Sequence, residues 1–211
     1  MKRARCLAAA AAAVVPSLLV AALGSAATAA PLPDPKPPVP HCVTPSDGDL
    51  NELFDVKDRI IGPAPCRETY AKAKWVRIAP GWGTAPSAAE AVYPAGYTPE
   101  RPDPIDDFDS KFVSATYIHD LGTPQEQRFT YKKSRVLRTG LFGPDGRPYS
   151  IAISPPFKAL DLGTHTTIVL FTLKAQHCDG LGTVEEENCL PAGTFEYTGN
   201  APFEVVPKPT G

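Results

Sequence analysis

Apolar and polar residues alternate along the second half of the chain, and a repeat of two residues is typical of β-strands. Such alternation predicts one strand over residues 111–119 and another over 127–131. Residues 135–142 and 147–153 flank Gly143-Pro-Asp-Gly146, where proline sets the first turn angle and glycine accepts a positive φ. We therefore predict a hairpin at this place.

Apolar residues occupy both faces of the segment 166–175, which predicts a strand buried on both sides. Alternation resumes over 193–198 and 202–206. Short strands separated by turn residues favour a mainly β chain folded as an antiparallel β-sandwich.

The first half of the chain is less regular. Leu50, Leu53 and Phe54 have helical spacing after a candidate cap at Ser46 or Asp47, so we predict a short helix there. Residues 68–78 alternate and predict a strand. Residues 79–110 contain repeated prolines that exclude long helices, and we expect a long, Pro-rich connecting loop of the kind that often carries function.

The N-terminus has the layout of a secretory signal peptide over residues 1–30. A basic start is followed by an uncharged apolar stretch and by Ala27-Thr-Ala29, which suits signal peptidase. We expect a secreted protein with no membrane span after cleavage; retention as an uncleaved anchor is the alternative. A Pro-rich spacer follows over 31–41, then an irregular region with the short helix over 42–110, and then the β-sandwich region over 111–211.

Four cysteines remain once the signal peptide is removed, and an even number in an exported protein predicts two disulfides. Of the three possible connectivities we favour Cys42–Cys66 with Cys178–Cys189, because each pair is close in sequence. The cysteines lack the paired spacing that zinc sites use.

Charge and motifs exclude several function classes. Loss of the three basic signal residues leaves 18 basic against 23 acidic residues, a formal charge of −5, which argues against nucleic-acid binding. The chain contains no Ser-hydrolase elbow, phosphate loop, zinc-protease helix or dinucleotide fingerprint. We therefore assign no catalytic residue and no cofactor.

Two groups of side chains are candidates for binding. Four acids in one segment could offer carboxylate oxygens to calcium, or could be solvated loop residues: Asp103, Asp106, Asp107 and Asp109. Three aromatic residues of the long segment could contact a ligand, or could instead fold back to close the core: Trp82, Tyr93 and Tyr97.

The segment from Pro155 to Val169, with Leu-Gly-Thr-His-Thr at its centre, resembles the corner before a late strand in bacterial immunoglobulin-like modules. Other segments, such as His177-Cys-Asp-Gly-Leu-Gly182, look like parts of uncharacterised secreted actinobacterial proteins. The resemblance covers about residues 145–206 and implies that the antiparallel β-sandwich is immunoglobulin-like; it implies no activity.

We predict a monomeric, non-catalytic binding or interaction module of the extracellular space or cell envelope, whose partner is an extracellular protein or polysaccharide. One alternative is a small secreted hydrolase with a polar site built from Asp106, Asp107 and His119. Another is a protease inhibitor that presents the loop 178–189.

Overall fold

The computed structural model describes residues 41–45 and 47–208, which lie within one compact unit. The predicted signal peptide, the spacer up to residue 40 and the candidate cap Ser46 lie outside the described residues.

The described chain is mainly β, as the alternating pattern predicts. Its strands are β1 Val43–Thr44, β2 Gly48–Asp49, β3 Arg59–Ile61, β4 Glu68–Tyr70, β5 Trp75–Arg77, β6 Trp82–Gly83, β7 Phe112–His119, β8 Gln127–Lys132, β9 Leu137–Phe142, β10 Pro148–Ala152, β11 Gly163–Leu173, β12 His177–Cys178, β13 Cys189–Leu190 and β14 Gly193–Val206. Its helices are α1 Leu50–Leu53, α2 Pro104–Lys111, α3 Lys133–Val136 and α4 Glu185–Asn188.

A five-stranded sheet in the order β4-β14-β11-β7-β8 contains the longest strands. β11 lies at its centre and pairs antiparallel with both β14 and β7, whereas β4 joins the edge parallel to β14. The central position explains the apolar pattern of β11, in which Ile168, Val169 and Phe171 are all buried. The strand that we predict over 166–175 is thus confirmed and begins a few residues earlier.

Shorter strands pair separately, as the set β6-β10-β9 and as the parallel pair β3-β5. An isolated bridge between Ile78 and Ile153 connects the chain after β5 to the chain after β10. The predicted hairpin is confirmed as β9 and β10, and its turn closes where the Gly146 amide donates to the Gly143 carbonyl at 2.9 Å. Gly146 has a φ of +77°, in the left-handed region that glycine adopts more readily than other residues.

One apolar core joins the five-stranded sheet to these shorter strands. At its centre Trp75 is fully buried and its ring lies 5.0 Å from those of Phe157 and Phe203, while its indole nitrogen donates to the Lys158 carbonyl. Trp75 precedes residue 110 and Phe203 follows it, so the two regions that we separate in sequence contribute to a common core.

Both predicted disulfides are present with the predicted connectivity. Cys42 pairs with Cys66 beside a second, smaller apolar cluster that contains Leu50 and Phe54, and Cys178 pairs with Cys189 between β12 and β13.

The N-terminal half differs from its prediction in three details. The cap of α1 is Asp49, whose carboxylate accepts the backbone amides of Asn51 and Glu52, because β2 continues to that residue. The segment 68–78 forms two strands, since the chain turns between them with Lys72 at φ +63°. The irregular segment ends in α2, where Pro104 occupies the first turn, a position that needs no amide donor.

No helix in the two described stretches is long and apolar enough to cross a membrane.

Candidate functional site

A cleft of about 1110 Å³ opens beside the smaller apolar cluster. Its walls come from four parts of the chain: the loop that Cys42–Cys66 closes with Arg67 after it, residues 77–81 and 83 from the end of β5 into β6, the β9–β10 hairpin near its tip, and residues 198–202 of β14, where the register with β11 shifts. Volumes of this order hold drug-sized molecules in other proteins.

The walls of the cleft carry apolar side chains that the fold leaves uncovered. Phe142 at the hairpin tip is 70% exposed and Leu53 of α1 is 52% exposed. Tyr149 of β10 is half-buried and adds further surface, whereas Ile151 lines the cleft but is itself buried. Because burial of apolar area is worth about 25 cal/mol per Å², these walls can bind the apolar part of a ligand.

Arg77 is the most unusual residue of the cleft. It follows Trp75 and Val76 in a strand whose three residues are all buried, and only 2% of Arg77 is exposed. Its Nη1 donates to the Ile78 carbonyl, while its Nε is buried without a hydrogen-bond partner. Burial, with a smaller contribution from the charge of Arg67, lowers the pKa of Arg77 to about 10.

Arg67 is the second cation of the cleft. It is half-buried, its Nη1 is enclosed without a partner, and burial lowers its pKa. Neither Arg67 nor Arg77 takes part in any ion pair between described residues. Arg147, the third arginine of the cleft, is paired with Asp145 at 2.7 Å.

The cleft and its arginines are not among the sites predicted from the sequence. A signal is present in the run Trp75-Val-Arg-Ile-Ala79, where one cation stands among apolar residues of a strand. In a strand, Arg77 shares one face with Trp75 and Ala79, and a cation on an apolar face indicates a buried charge or a cavity.

A second polar group surrounds Asp107, which lies on α2 and is fully buried. Each carboxylate oxygen is hydrogen-bonded. Oδ2 accepts from Tyr97 Oη, Lys111 Nζ and His177 Nδ1, each at 2.8 Å, and Oδ1 accepts from the backbone amides of Glu100 at 2.7 Å and Arg101 at 3.1 Å.

Burial by itself raises the pKa of Asp107, but the hydrogen bonds from His177, Lys111 and Tyr97 outweigh it and hold that pKa well below its usual range. Burial lowers the pKa of His177, which therefore donates from a neutral ring. With five donors the Asp107 carboxylate has no lone pair directed at a cleft, and its role is to fix α2 to the β12 strand.

The four candidate calcium ligands do not form one ligand set. Asp103 and Asp106 are exposed, Asp107 is occupied as described, and Asp109 accepts from the Ser150 hydroxyl at 2.7 Å. Among the described residues, the one group with three possible ligand atoms within 4.8 Å of one another is His41, Asp49 and Glu52. Asp49 already caps α1, so we assign no metal to that group.

The three candidate aromatic residues are all half-buried. Trp82 packs near Phe108 and His177, and the tilted rings of Tyr93 and Tyr97 have their centres 5.2 Å apart. The Trp82 indole nitrogen and the Tyr93 hydroxyl are buried without a hydrogen-bond partner among the described residues, while Tyr97 lines a smaller pocket of about 490 Å³ next to the Cys178–Cys189 disulfide. Ligand binding by these aromatic residues stays a prediction.

The side chains of the hydrolase alternative have different surroundings. His119 is buried among the rings of Trp75, Phe129 and Phe157, and burial lowers its pKa to about 4, so that it is neutral at pH 7. Asp107 instead bonds to His177. We assign no catalytic role to His119.

The hydrogen bonds of His165 lead us to expect that the stability of the fold depends on pH. Its Nδ1 lies 2.7 Å from Asp120 Oδ2 and its Nε2 lies 2.9 Å from the Asp161 carbonyl. Burial lowers the pKa of His165, but these two acceptors outweigh it and raise that pKa above 6.5. Protonated His165 therefore contributes fully to the stability of the fold below pH 6.5, and this contribution is lost as the pH rises through the raised pKa. We expect His165→Gln to cost about 1 kcal/mol at pH 5.5 and less at pH 9, measured by urea unfolding; parallel pH profiles of the two proteins would contradict this.

Comparison of the chain with protein-family models, curated proteins and solved structures finds no match.

Proposed function

We propose that this protein is a secreted, non-catalytic binding module whose cleft takes up a small molecule with an apolar body. The observation that carries the proposal is the cleft of about 1110 Å³, whose walls expose Phe142 and Leu53 although neither side chain is needed to complete the core. Hydrophobic clefts with a few polar groups are the usual form of small-molecule sites.

Two disulfides support an extracellular location, since such bonds persist in oxidising compartments. The predicted signal peptide over residues 1–30 supports the same proposal. We expect a second ligand as well, the extracellular protein or polysaccharide that the sequence leads us to predict. It would bind near Tyr97, at the pocket of about 490 Å³.

We also propose that the sheets form an immunoglobulin-like sandwich. The support is the shared core, in which Trp75 of β5 and Ala152 of β10 pack with Tyr117, Val169 and Phe203 of the five-stranded sheet. The parallel edge strand β4 is an addition to a purely antiparallel arrangement.

A neutral apolar probe tests the cleft directly. N-phenyl-1-naphthylamine is expected to bind with a saturable rise in fluorescence, because it buries its rings against the apolar walls. Ala201, a half-buried residue of the wall, is replaced by phenylalanine to fill the cleft, and we expect Ala201→Phe to weaken probe binding about tenfold or more.

The matched control is Ala88→Phe, at an exposed position outside the cleft, which should leave probe binding unchanged. Phe142→Ser removes exposed wall surface at the hairpin tip without disturbing the core, and it should weaken binding even if Ala201→Phe folds poorly. Absence of probe binding, or equal binding by the cleft variants and the control, overturns the proposal.

A further inference from the structure

We infer that the ligand of the cleft is an organic anion, and that its acid group binds between Arg67 and Arg77 while its apolar body lies against the walls. The inference rests on the proposed function and adds the chemical class of the ligand.

The first step is the state of Arg77. A guanidinium that is 2% exposed has lost its hydration, and its Nε has no acceptor in the described chain. An ionised group taken out of water costs several kcal/mol unless it is paired and hydrogen-bonded. Nη1 bonds to the Ile78 carbonyl, and the buried Nε stays without a partner. Among the described residues, Arg77 thus has no negatively charged partner.

The second step is the presence of Arg67. Arg67 lines the same cleft, its charge opposes that of Arg77, and its Nη1 is also buried without a partner. Both groups are cationic and line the same cleft, so their charges repel each other. An oxyanion between them offsets this repulsion, because planar guanidinium groups match the geometry of carboxylate, sulfate or phosphate oxygens.

The acidic residues that line the cleft interact with residues other than Arg67 and Arg77. Asp145 is paired with Arg147 at the rim. Asp47 accepts from the Thr44 hydroxyl at 3.1 Å, and its charge acts on Tyr149, whose pKa is raised by burial and by Asp47. Arg67 and Arg77 have no ion pair with an acid of the described residues.

The volume of the cleft indicates a ligand larger than an inorganic anion. An inorganic anion would occupy a small part of about 1110 Å³ and would leave Leu53 and Phe142 in contact with water. An anion with an apolar tail covers these side chains and neutralises the arginines at once. A medium-chain carboxylate has this chemistry.

Titration calorimetry with dodecanoate and dodecanol separates the acid group from the tail, since the two ligands share the chain and differ in charge. We expect dodecanoate to bind about 10- to 100-fold more tightly than dodecanol, as charge-assisted hydrogen bonds to an arginine pair imply. Arg67→Gln and Arg77→Met should remove this preference while dodecanol binding remains. Arg138→Gln, exposed and outside the cleft, is the matched control and should keep the preference.

Arg67 is only half-buried, so Arg67→Gln tests the inference even if Arg77→Met alters the fold. Equal affinity for dodecanoate and dodecanol, or a preference that survives both substitutions, overturns the acid-group inference and leaves the proposed function standing. Binding of neither ligand overturns the proposed function and the organic-anion inference together. Sulfate binding that Arg67→Gln abolishes, without binding of either chain, supports the arginine anion site and contradicts the apolar ligand.

Discussion

Replacement of Asp107 by asparagine is expected to lower the free energy of unfolding by about 3–5 kcal/mol, the usual cost of removing one partner from a buried ion pair. The reason is the state of Lys111, which is 2% exposed and donates to Asp107 Oδ2 at 2.8 Å. An asparagine of the same shape keeps the volume but leaves the ammonium uncompensated. Denaturation by guanidinium chloride, followed by far-ultraviolet circular dichroism, measures the change.

Asp106→Asn is the matched control for this experiment, because Asp106 is the exposed neighbour on the same helix. It should change stability by less than about 0.5 kcal/mol. Equal effects of the two substitutions would show that the bonds around Asp107 do not stabilise the fold.

The pH dependence gives a second measurement on the same pair of proteins. The pKa of Asp107 is held below its usual range, so its contribution is present above the ordinary value of 3.8 and is lost as the pH falls through the lowered value. The stability difference between the unchanged protein and Asp107→Asn should therefore be largest near neutral pH and should narrow below about pH 4.

The parts of the fold that could be predicted from the sequence are those with local signals. β7 and the β9–β10 hairpin follow from period-two alternation and turn residues, and β11 follows from apolar residues on both of its faces, all of which are local signals. The disulfides follow from the number of cysteines and their spacing. These features depend on neighbours in the chain, and for that reason the sequence reveals them.

The functional residues depend on distant parts of the chain. Asp107 is one of four acids in its segment, and it is distinguished by His177, 70 residues later, and by Tyr97, 10 residues earlier. Only its pairing with Lys111 at i+4 could be anticipated from helical spacing. Arg77 is likewise a strand residue in sequence, and only the tertiary fold shows that it forms no ion pair with an acid of the described residues.

The cleft itself links stability to binding through one disulfide. Cys42–Cys66 spans 24 residues, and the loop that it closes supplies Leu50, Leu53, Phe54, Gly62 and Pro63 to the cleft wall. The adjacent residue is Arg67. Removal of this disulfide is therefore expected to affect the fold and the ligand site together.

The double variant Cys42→Ser/Cys66→Ser should lose about 3.5 kcal/mol of stability on the chain-entropy estimate for a loop of this length. Folded protein should also bind N-phenyl-1-naphthylamine about tenfold more weakly, because α1 and residues 62–63 are no longer held against the hairpin. Cys178→Ser/Cys189→Ser is the matched control: its separation is 11 residues, its expected loss is about 3 kcal/mol, and none of residues 178–189 lines the cleft. Unfolding by guanidinium chloride and probe titration under native conditions measure the two effects separately. If both double variants lost stability and probe affinity to the same degree, the weaker binding would follow from general destabilisation, and the loop closed by Cys42–Cys66 would not be a specific wall of the binding site.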